Sequence, residues 1–437
     1  MMLKFRSFHG GIHPPDSKIT AGKQIEKAKI PANVTLLLHQ HVGAPCKPLA
    51  KEGEEVKAGQ KIGDSDSFVS APVHSSISGV VKEISTQLLS PIGREVQGII
   101  IESDGRDESA RMEAIDPATA SKREILARIR EAGIVGLGGA AFPTSVKLSP
   151  PEGKEIDTVI LNGSECEPYI TADHRLMLEQ PDKIVKGMRI IMNVLDVNKG
   201  FIGIEDNKKD AIKRMREAVE REGDERIEVF SLKTKYPQGE AGSLIKTVLN
   251  RETPSGSHSY DIGVLVQNVA TAKAIHDAVY EGAPLIERVV TVTGDVREPK
   301  NLLTRIGTPF YDLIEECGGF KRDVGKIVCG GSMLGVAEFG NVPIIKSTSC
   351  ILVLNREKSR TPEERACVRC GMCVDVCPTG LMPTILGKLA RERRFEECMD
   401  YHIIDCMECG SCAYVCPSKI PLVQLIRYGK EEIKRRT

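Results

Sequence analysis

Apolar positions fall into four differently patterned stretches along this chain of 437 residues. Up to about residue 105 they come as short runs, Ile62, Val80-Val81 and Ile99-Ile100-Ile101, broken by turn signals such as Glu52-Gly53 and Ile92-Gly93. Short runs between turns predict a small all-β unit. Residues 106–120 are polar and read as a linker. A helix should begin at the capping box Ser121-x-x-Glu124, bury Ile125, Ile129 and Ala132, and end at Gly133. Beyond it, a strand at 158–161, helices near 174–196 and 208–222, a strand at 262–266 and a helix at 270–280 predict an α/β layer structure. Ligands of such sheets sit at the carboxyl ends of the strands, where Asn162 and Asn268 fall. From about 287 to 355 short strands return (289–293, 327–328 and 351–354), with a helix at 310–316 between them. A mixed-charge stretch, 356–365, leads to a last segment with helices expected at roughly 380–400 and 420–435.

Composition works mainly by exclusion. With 41% apolar and 27% charged residues the chain reads as globular, and its length implies about three domains. No run of 18 apolar residues occurs, so no bilayer span is expected. The opening Met1-Met2-Leu3-Lys4-Phe5-Arg6 leads straight into polar sequence, so no signal peptide is expected either. Free thiols then suit a reducing cytoplasm. Zero net charge, no Trp and 4% aromatics argue against a nucleic-acid partner. The basic end, 430–436, reads as a solvated helix end. His39, His41 and His74 read as separate histidines of the β unit rather than a metal site.

The chemistry is concentrated in eight of the fourteen cysteines. Cys367, Cys370, Cys373 and Cys377 precede Pro378; Cys406, Cys409, Cys412 and Cys416 precede Pro417. Both runs read C-x2-C-x2-C-x3-C-P, the ligand run of a two-cluster bacterial ferredoxin, in which the fourth cysteine serves the other cluster. Cluster one should take Cys367, Cys370, Cys373 and Cys416; cluster two should take Cys406, Cys409, Cys412 and Cys377. Structural zinc has no use for the third cysteine of each run, and disulfides do not suit the expected compartment. Gly371 and Gly410 follow the second cysteine of each run, where the backbone must bend around inorganic sulfide. Cys46, Cys166, Cys317, Cys329, Cys350 and Cys398 are scattered, and Cys398 reads as a buried thiol.

Other segments resemble known families. Residues 48–84 resemble a biotinyl/lipoyl-type barrel-sandwich hybrid, but the hairpin Asp64-Ser65-Asp66-Ser67-Phe68-Val69 has no lysine to modify. The stretch 287–355 looks like a small β-grasp unit. Four further segments resemble the flavin-binding subunit of respiratory complex I: Gly136-Leu137-Gly138-Gly139-Ala140-Ala141-Phe142-Pro143-Thr144-Ser145-Val146-Lys147, Asn162-Gly163-Ser164-Glu165-Cys166-Glu167-Pro168, Tyr236-Pro237-Gln238-Gly239-Glu240 and Val266-Gln267-Asn268-Val269-Ala270-Thr271. In that family they enclose FMN, with NADH stacked on the flavin. The resemblance implies that Gly136, Gly138, Gly139 and Lys147 hold the phosphate side and that Asn162, Glu165 and Glu167 line the flavin and nucleotide. It further implies that Gly239 and Glu240 close over the rings, that Asn268 and Thr271 complete the phosphate or ribityl contacts, and that Phe142 stacks. Glu167 and Glu240 keep the pocket acidic, which suits NAD(H) over a 2′-phosphorylated cofactor. Ala141, Ser164, Cys166, Ala241 and Gln267 depart from the family pattern.

The order of parts, opening with Phe8-His9-Gly10-Gly11-Ile12-His13-Pro14-Pro15, resembles the C subunits of Rnf ion-translocating electron transport complexes over the full length. The resemblance implies a multidomain α/β plus β chain. Its parts would be a barrel-sandwich hybrid at 1–105, an FMN/NADH-binding α/β domain at 115–285, a β-grasp (SLBB-like) domain at 286–355 and an α-helical two-cluster ferredoxin domain at 360–437. It implies a peripheral subunit on the cytoplasmic face of the inner membrane, with other subunits of that complex and NAD(H) as partners. Its cofactors would be FMN and two [4Fe–4S] clusters. Hydride would pass between NAD(H) and FMN, and single electrons would pass through the clusters, coupled to Na⁺ or H⁺ transport. An electron-carrier scaffold with a non-functional flavin site stays open, favoured by Ser164 and Ala241. So does a cobalamin-reductase-type flavoprotein, although that family orders the same parts differently.

Overall fold

The computed structural model describes residues 7–436 other than 92 and 94, so the opening Met1–Arg6 and the Ile92 side of one expected turn lie outside the described residues. The expected β unit forms two small sheets. Strands Asn33–Leu37, Glu95–Ser103, Gly79–Leu89 and Glu55–Val56 lie side by side in that order, and Lys47–Pro48, Lys61–Asp64 and Val73–His74 make the second sheet. Val34, Leu36, Ile62, Ile77, Ile99 and Ile101 fill the space between them. Inward and outward residues alternate along a strand, so each strand supplies one apolar face to this core. Phe68 stands 73% exposed on the hairpin that lacks the lysine.

The helix Lys122–Glu131 carries the expected reciprocal cap between Ser121 and Glu124, and Gly133 follows it with φ of 67°. It leads into a four-stranded parallel sheet ordered Ile227–Leu232, Gly200–Glu205, Thr158–Asn162 and Val264–Asn268. In chain order this is third, second, first, fourth. The connections therefore reverse direction between Thr158–Asn162 and Val264–Asn268, and a crevice opens at their carboxyl ends. Asn162 and Asn268 are paired in register at that point. The single helix expected at 174–196 is two helices, Ala172–Glu179 and Pro181–Leu195. Pro181 lacks an N–H to continue the first helix and is well suited to begin the second. The strand expected at 262–266 begins two residues later, because Ser259–Ile262 forms a turn of 3₁₀ helix.

The β-grasp region is one side of a six-stranded sheet in the order Ile25–Lys27, Lys300–Arg305, Glu287–Gly294, Cys350–Asn355, Val324–Cys329, Val336–Glu338. The helix Phe310–Glu316 packs Phe310, Leu313 and Ile314 onto it. Its outer strand comes from the opposite end of the chain: Ile25–Lys27 runs parallel to Asn301–Leu303. Residues 8–24 lead to that strand as a strap across the α/β domain. The cluster region holds helices Pro383–Arg391, Phe395–Asp400 and Leu422–Arg436. The helix expected at 380–400 is thus interrupted, at Arg393 with φ of 60°. Cys398 is the buried thiol expected. Among the described residues no helix is long and apolar enough to cross a membrane.

Candidate flavin site and cluster cages

The four flavin-like segments converge on the crevice. The Asn162 amide donates to the Gly239 carbonyl at 2.7 Å, and its oxygen accepts from Ser164 N–H at 3.1 Å. Asn268 caps the helix Val269–Tyr280 through the N–H groups of Ala270 and Thr271, and its amide donates to Asp173 at 2.7 Å. Gly138 lies against Asn268 so closely that a Cβ there would sit 2.5 Å from the Asn268 amide nitrogen, whereas Gly139 faces open space. Thr271 is fully buried and accepts the Leu137 N–H at 2.9 Å, so it ties the glycine loop to the helix. Gly136 lies in the same loop, its N–H bonded to the Phe142 carbonyl, and Phe142 itself is 37% exposed.

The charged residues are arranged less simply. Glu165 accepts the N–H groups of Asp173 and His174 and so caps the helix Ala172–Glu179. Glu167 accepts those of Met333 and Leu334, from the β-grasp region, at 3.1 and 2.7 Å. Glu240 caps the helix Ala241–Leu249 through Ser243 N–H. Burial pushes the Glu165 carboxyl up and lifts Glu167 to about 7. Lys147 ends the short helix Thr144–Lys147, and burial alone pulls its ammonium down to about 8. Among the described residues no carboxylate pairs with it. The Ser164 hydroxyl is buried without a partner.

These features fit a flavin mononucleotide. An uncompensated lysine and an open glycine backbone on one segment suit a phosphate, a half-open phenylalanine offers a stacking face, and an orphaned hydroxyl beside Asn162 and Gly239 suits the polar edge of a ring system. A separate cavity of about 320 Å³ lies behind the loop, reaching Leu137, Asp173, Ala270, Lys273 and Arg288, but none of the expected flavin contacts lines it.

In the cluster region Cys377, from the first run, joins Cys406, Cys409 and Cys412 around one small enclosed cavity. Cys373 lies with Cys370 and Cys416, and the exposed Cys367 approaches Thr384 at 3.6 Å. Cys377 thus lines one cavity with three thiols of the second run, and Cys416 of the second run lies by Cys373 of the first. The two loops fold alike: Arg369 and Glu408 have φ of 56° and 57°, and Gly371 and Gly410 have φ of 80° and 77°. Burial pushes the Cys406 and Cys412 thiols up to about 11 and 12. Lys430 lies near Cys406, but burial outweighs it, so these closely spaced thiols become thiolates when iron supplies the charge, and the cage fits a metal cluster.

The two sites touch. Tyr236, in the segment that carries Gly239 and Glu240, is buried and donates its O–H to the Cys409 carbonyl at 2.7 Å. Cys166, Met333, Val376, Met407 and Val415 surround this contact.

Comparison with known proteins agrees with this architecture. Residues 6–106 match the RnfC barrel sandwich hybrid domain, 129–277 the Nuo51 FMN-binding domain, 289–337 the SLBB domain and 366–420 the 4Fe-4S dicluster domain. Over 99% of its length the chain is 50% identical to the C subunit of the proton-translocating ferredoxin:NAD(+) oxidoreductase complex of Clostridium ljungdahlii, covering 94% of that protein. The chain belongs to the RnfC family. A second member, the C subunit of the Na(+)-translocating ferredoxin:NAD(+) oxidoreductase complex of Acetobacterium woodii, is 45% identical over 99% of this chain and 98% of its own. Among solved structures, an NAD+-reducing [NiFe]-hydrogenase in the air-oxidized state superposes with a TM-score of 0.50 at 18% identity, over 72% of this chain and 63% of that one, which is a likeness of fold.

Several residues that hold this family member's site together were not legible in its sequence. Lys18 donates to the carbonyls of Glu165, Glu167 and Ile170 at 3.0, 3.0 and 2.6 Å. Lys208 is buried against Glu205 at 3.1 Å and also donates to the Ser164 carbonyl. Lys346 bridges the carbonyls of Pro72 and Gly133, joining the barrel sandwich to the α/β domain. A lone lysine reads as surface in any sequence pattern, and its carbonyl partners carry no sequence signature. Asp173, which receives the Asn268 amide, had only its place in the first turn of a helix to mark it.

Proposed function

We propose that this chain is the NAD(H)-handling subunit of a membrane ion-translocating electron transport complex, bound peripherally on the cytoplasmic face. Gly136, Gly138, Gly139 and Lys147 take the phosphate side of FMN. Asn162, Ser164 and Gly239 meet the ring, Glu165, Glu167, Glu240, Asn268 and Thr271 shape the walls, and Phe142 stacks on the nucleotide. Cys367, Cys370, Cys373 and Cys416 hold one [4Fe–4S] cluster, and Cys377, Cys406, Cys409 and Cys412 hold the other. A bound flavin accepts the hydride of NADH as an electron pair and passes the electrons on singly, which nicotinamide cannot do. Two clusters taking one electron each balance one NADH. The protein's part is to bind, to exclude water and to keep the cofactors close. The observation that carries this reading is the Tyr236–Cys409 hydrogen bond, which joins a flavin-loop residue to a cluster ligand.

One observation favours a bare electron carrier instead: Glu165, Glu167 and Glu240 all commit their carboxylates to backbone N–H groups. Anaerobic titration with NADH of the cluster-reconstituted chain, supplied with FMN, decides between them. Bleaching of flavin and cluster absorbance by NADH is the expected result, with NADPH as control. Clusters without bound flavin, or a flavin inert to NADH, would leave the carrier.

A further inference from the structure

The opening Phe8-His9-Gly10-Gly11-Ile12 has no part in the chemistry above, yet it lies between the two redox sites. Gly11 N–H donates to the Val376 carbonyl at 2.8 Å, next to the cluster-two ligand Cys377. One residue on, Ile12 and Tyr236 exchange both backbone hydrogen bonds, at 2.8 and 2.9 Å. Lys235 donates to the Phe8 carbonyl at 2.9 Å and lies over the Phe8 ring. The strap therefore holds the cluster-two loop on one side and the flavin loop on the other.

Its two glycines are required by space and by conformation. Gly10 and Gly11 have φ of 64° and 77°. A Cβ at Gly10 would lie 2.7 Å from the carbonyl oxygens of Val376 and Cys377. At Gly11 it would lie 2.7 Å from the Tyr236 carbonyl oxygen. Side chains would both strain the turn and push the two loops apart. Tyr236 completes the joint through the Cys409 carbonyl, and Ile12, Tyr236, Cys377 and Cys409 are all buried there.

We propose that Gly10, Gly11 and Tyr236 are positioning residues that seat cluster two against the flavin pocket, so that electrons pass between the flavin and cluster two before reaching cluster one. The proposal rests on the function proposed above. Electron transfer between centres weakens steeply with separation, so a strap that sets the spacing of two loops sets the rate between them. The cluster ligands touched are those of cluster two: Cys377 through Gly10, and Cys409 through Tyr236.

The test uses the full chain with clusters and FMN reconstituted, as wild type, Gly10→Val, Tyr236→Phe and a control, Gly22→Ala. Gly22 lies further along the strap with nothing near its Cβ position. Iron content, hydrogen–deuterium exchange of peptides covering residues 8–14 and 234–238, and the rate of cluster reduction after flavin reduction are read together. Expected for Gly10→Val are wild-type iron, amide exchange about tenfold faster at Ile12 and Tyr236, and cluster reduction slowed at least tenfold. Tyr236→Phe should show a smaller slowing of the same step with the strap still protected, and Gly22→Ala should match wild type. A Gly10→Val chain with faster exchange but an undiminished rate would overturn the proposal, as would unchanged exchange and rate together. Loss of cluster-two iron in both variants would also overturn it, making the strap a folding element. Photoreduction of the bound flavin starts the same transfer without nicotinamide. Failure of NADH to reduce wild-type flavin would therefore count against the function and leave the strap to be judged separately.

Discussion

The two cysteine runs share spacing and backbone conformation, but their surroundings diverge. Cys367 and Cys370 are exposed, with Val368 and Met372 standing 67% and 45% exposed beside them. Cys377, Cys409 and Cys412 are buried, Cys409 under Ile12, Tyr236 and Met333. The matching glycines make the contrast concrete: a Cβ at Gly371 meets nothing, while one at Gly410 meets Met333 at 3.6 Å. Lys430 adds a positive charge on the buried side, 2.9 Å from the Cys406 carbonyl. The local template builds a cage, and distant parts of the chain decide what the cage sees. Burial, nearby charge and hydrogen bonding are what set a cluster's potential, so two like cages become a protected inner site and an open outer one.

Removing one ligand at a time breaks the comparison most sharply. Cys409→Ser and Cys370→Ser should each lose about half of the cluster iron, because each cage fills separately. With Cys409→Ser, NADH should reduce flavin alone and leave cluster one oxidised. With Cys370→Ser, cluster two should still be reduced. Electron paramagnetic resonance of the NADH-reduced proteins separates the two outcomes, and equal behaviour would erase the inner and outer distinction.

Iron removal gives a second, kinetic contrast. Chelation should release iron in two phases, with the fast phase from cluster one and absent in Cys370→Ser. After stripping, iodoacetamide should label Cys367 first. It is exposed, and the Arg369 N–H and the Thr384 hydroxyl hold its thiol below the usual range. Uniform iron loss and labelling would contradict the burial difference.

The flavin side can be weakened alone. Lys147→Ala removes the uncompensated cation, and a hydrogen bond to a charged group is worth roughly 1.5–3 kcal/mol. FMN affinity, read by fluorescence quenching, should fall by about ten- to a hundredfold with cluster iron unchanged. Unaltered affinity would remove Lys147 from the phosphate site.

The smallest effect concerns pH. Burial raises Glu167 from 4.5 to about 7 in the folded chain, so the native state keeps a proton that the unfolded chain has released. Stability should therefore fall as pH rises from about 4.5 through 7, by on the order of 1–3 kcal/mol. Glu167→Gln cannot ionise and still accepts one of the Met333 and Leu334 N–H groups, so its melting midpoint should vary less between pH 5 and 8. Because Met333 lies over Gly410, the wild-type loss should appear as exchange around cluster two before cluster one. Parallel pH profiles for wild type and variant would refute it.

Local features were the legible ones. The Ser121–Glu124 cap, the helix Phe310–Glu316 and the like-folded loops of the two cysteine runs depend on residues close in sequence, and Asn162 and Asn268 stand at strand ends as expected. Strands whose identity depends on distant partners were missed. Gly200–Glu205 is buried along its whole length and lacks the alternation that marks a half-exposed strand. Lys300–Arg305 and Ile25–Lys27 look polar; the first pairs with Glu287–Gly294, and Ile25–Lys27 becomes a strand by meeting it from the far end of the chain. The residues proposed to hold flavin could be picked out by type. Their geometry could not, because Lys18, Lys208 and Asp173 fix it through tertiary hydrogen bonds.

The strap also sets a schedule for synthesis. Gly11 is bound to Val376, 365 residues later (376 minus 11), so its partner does not exist until that much more of the chain has been made. At about 5–20 residues per second that is a wait of roughly 20–70 s. During this interval the barrel sandwich and the sheet of the α/β domain can form, while the opening residues stay without their final docking site. Joining the inner cage to the flavin pocket then becomes a late closing event in maturation, open to any chaperone or iron-delivery factor that reaches the cysteines first.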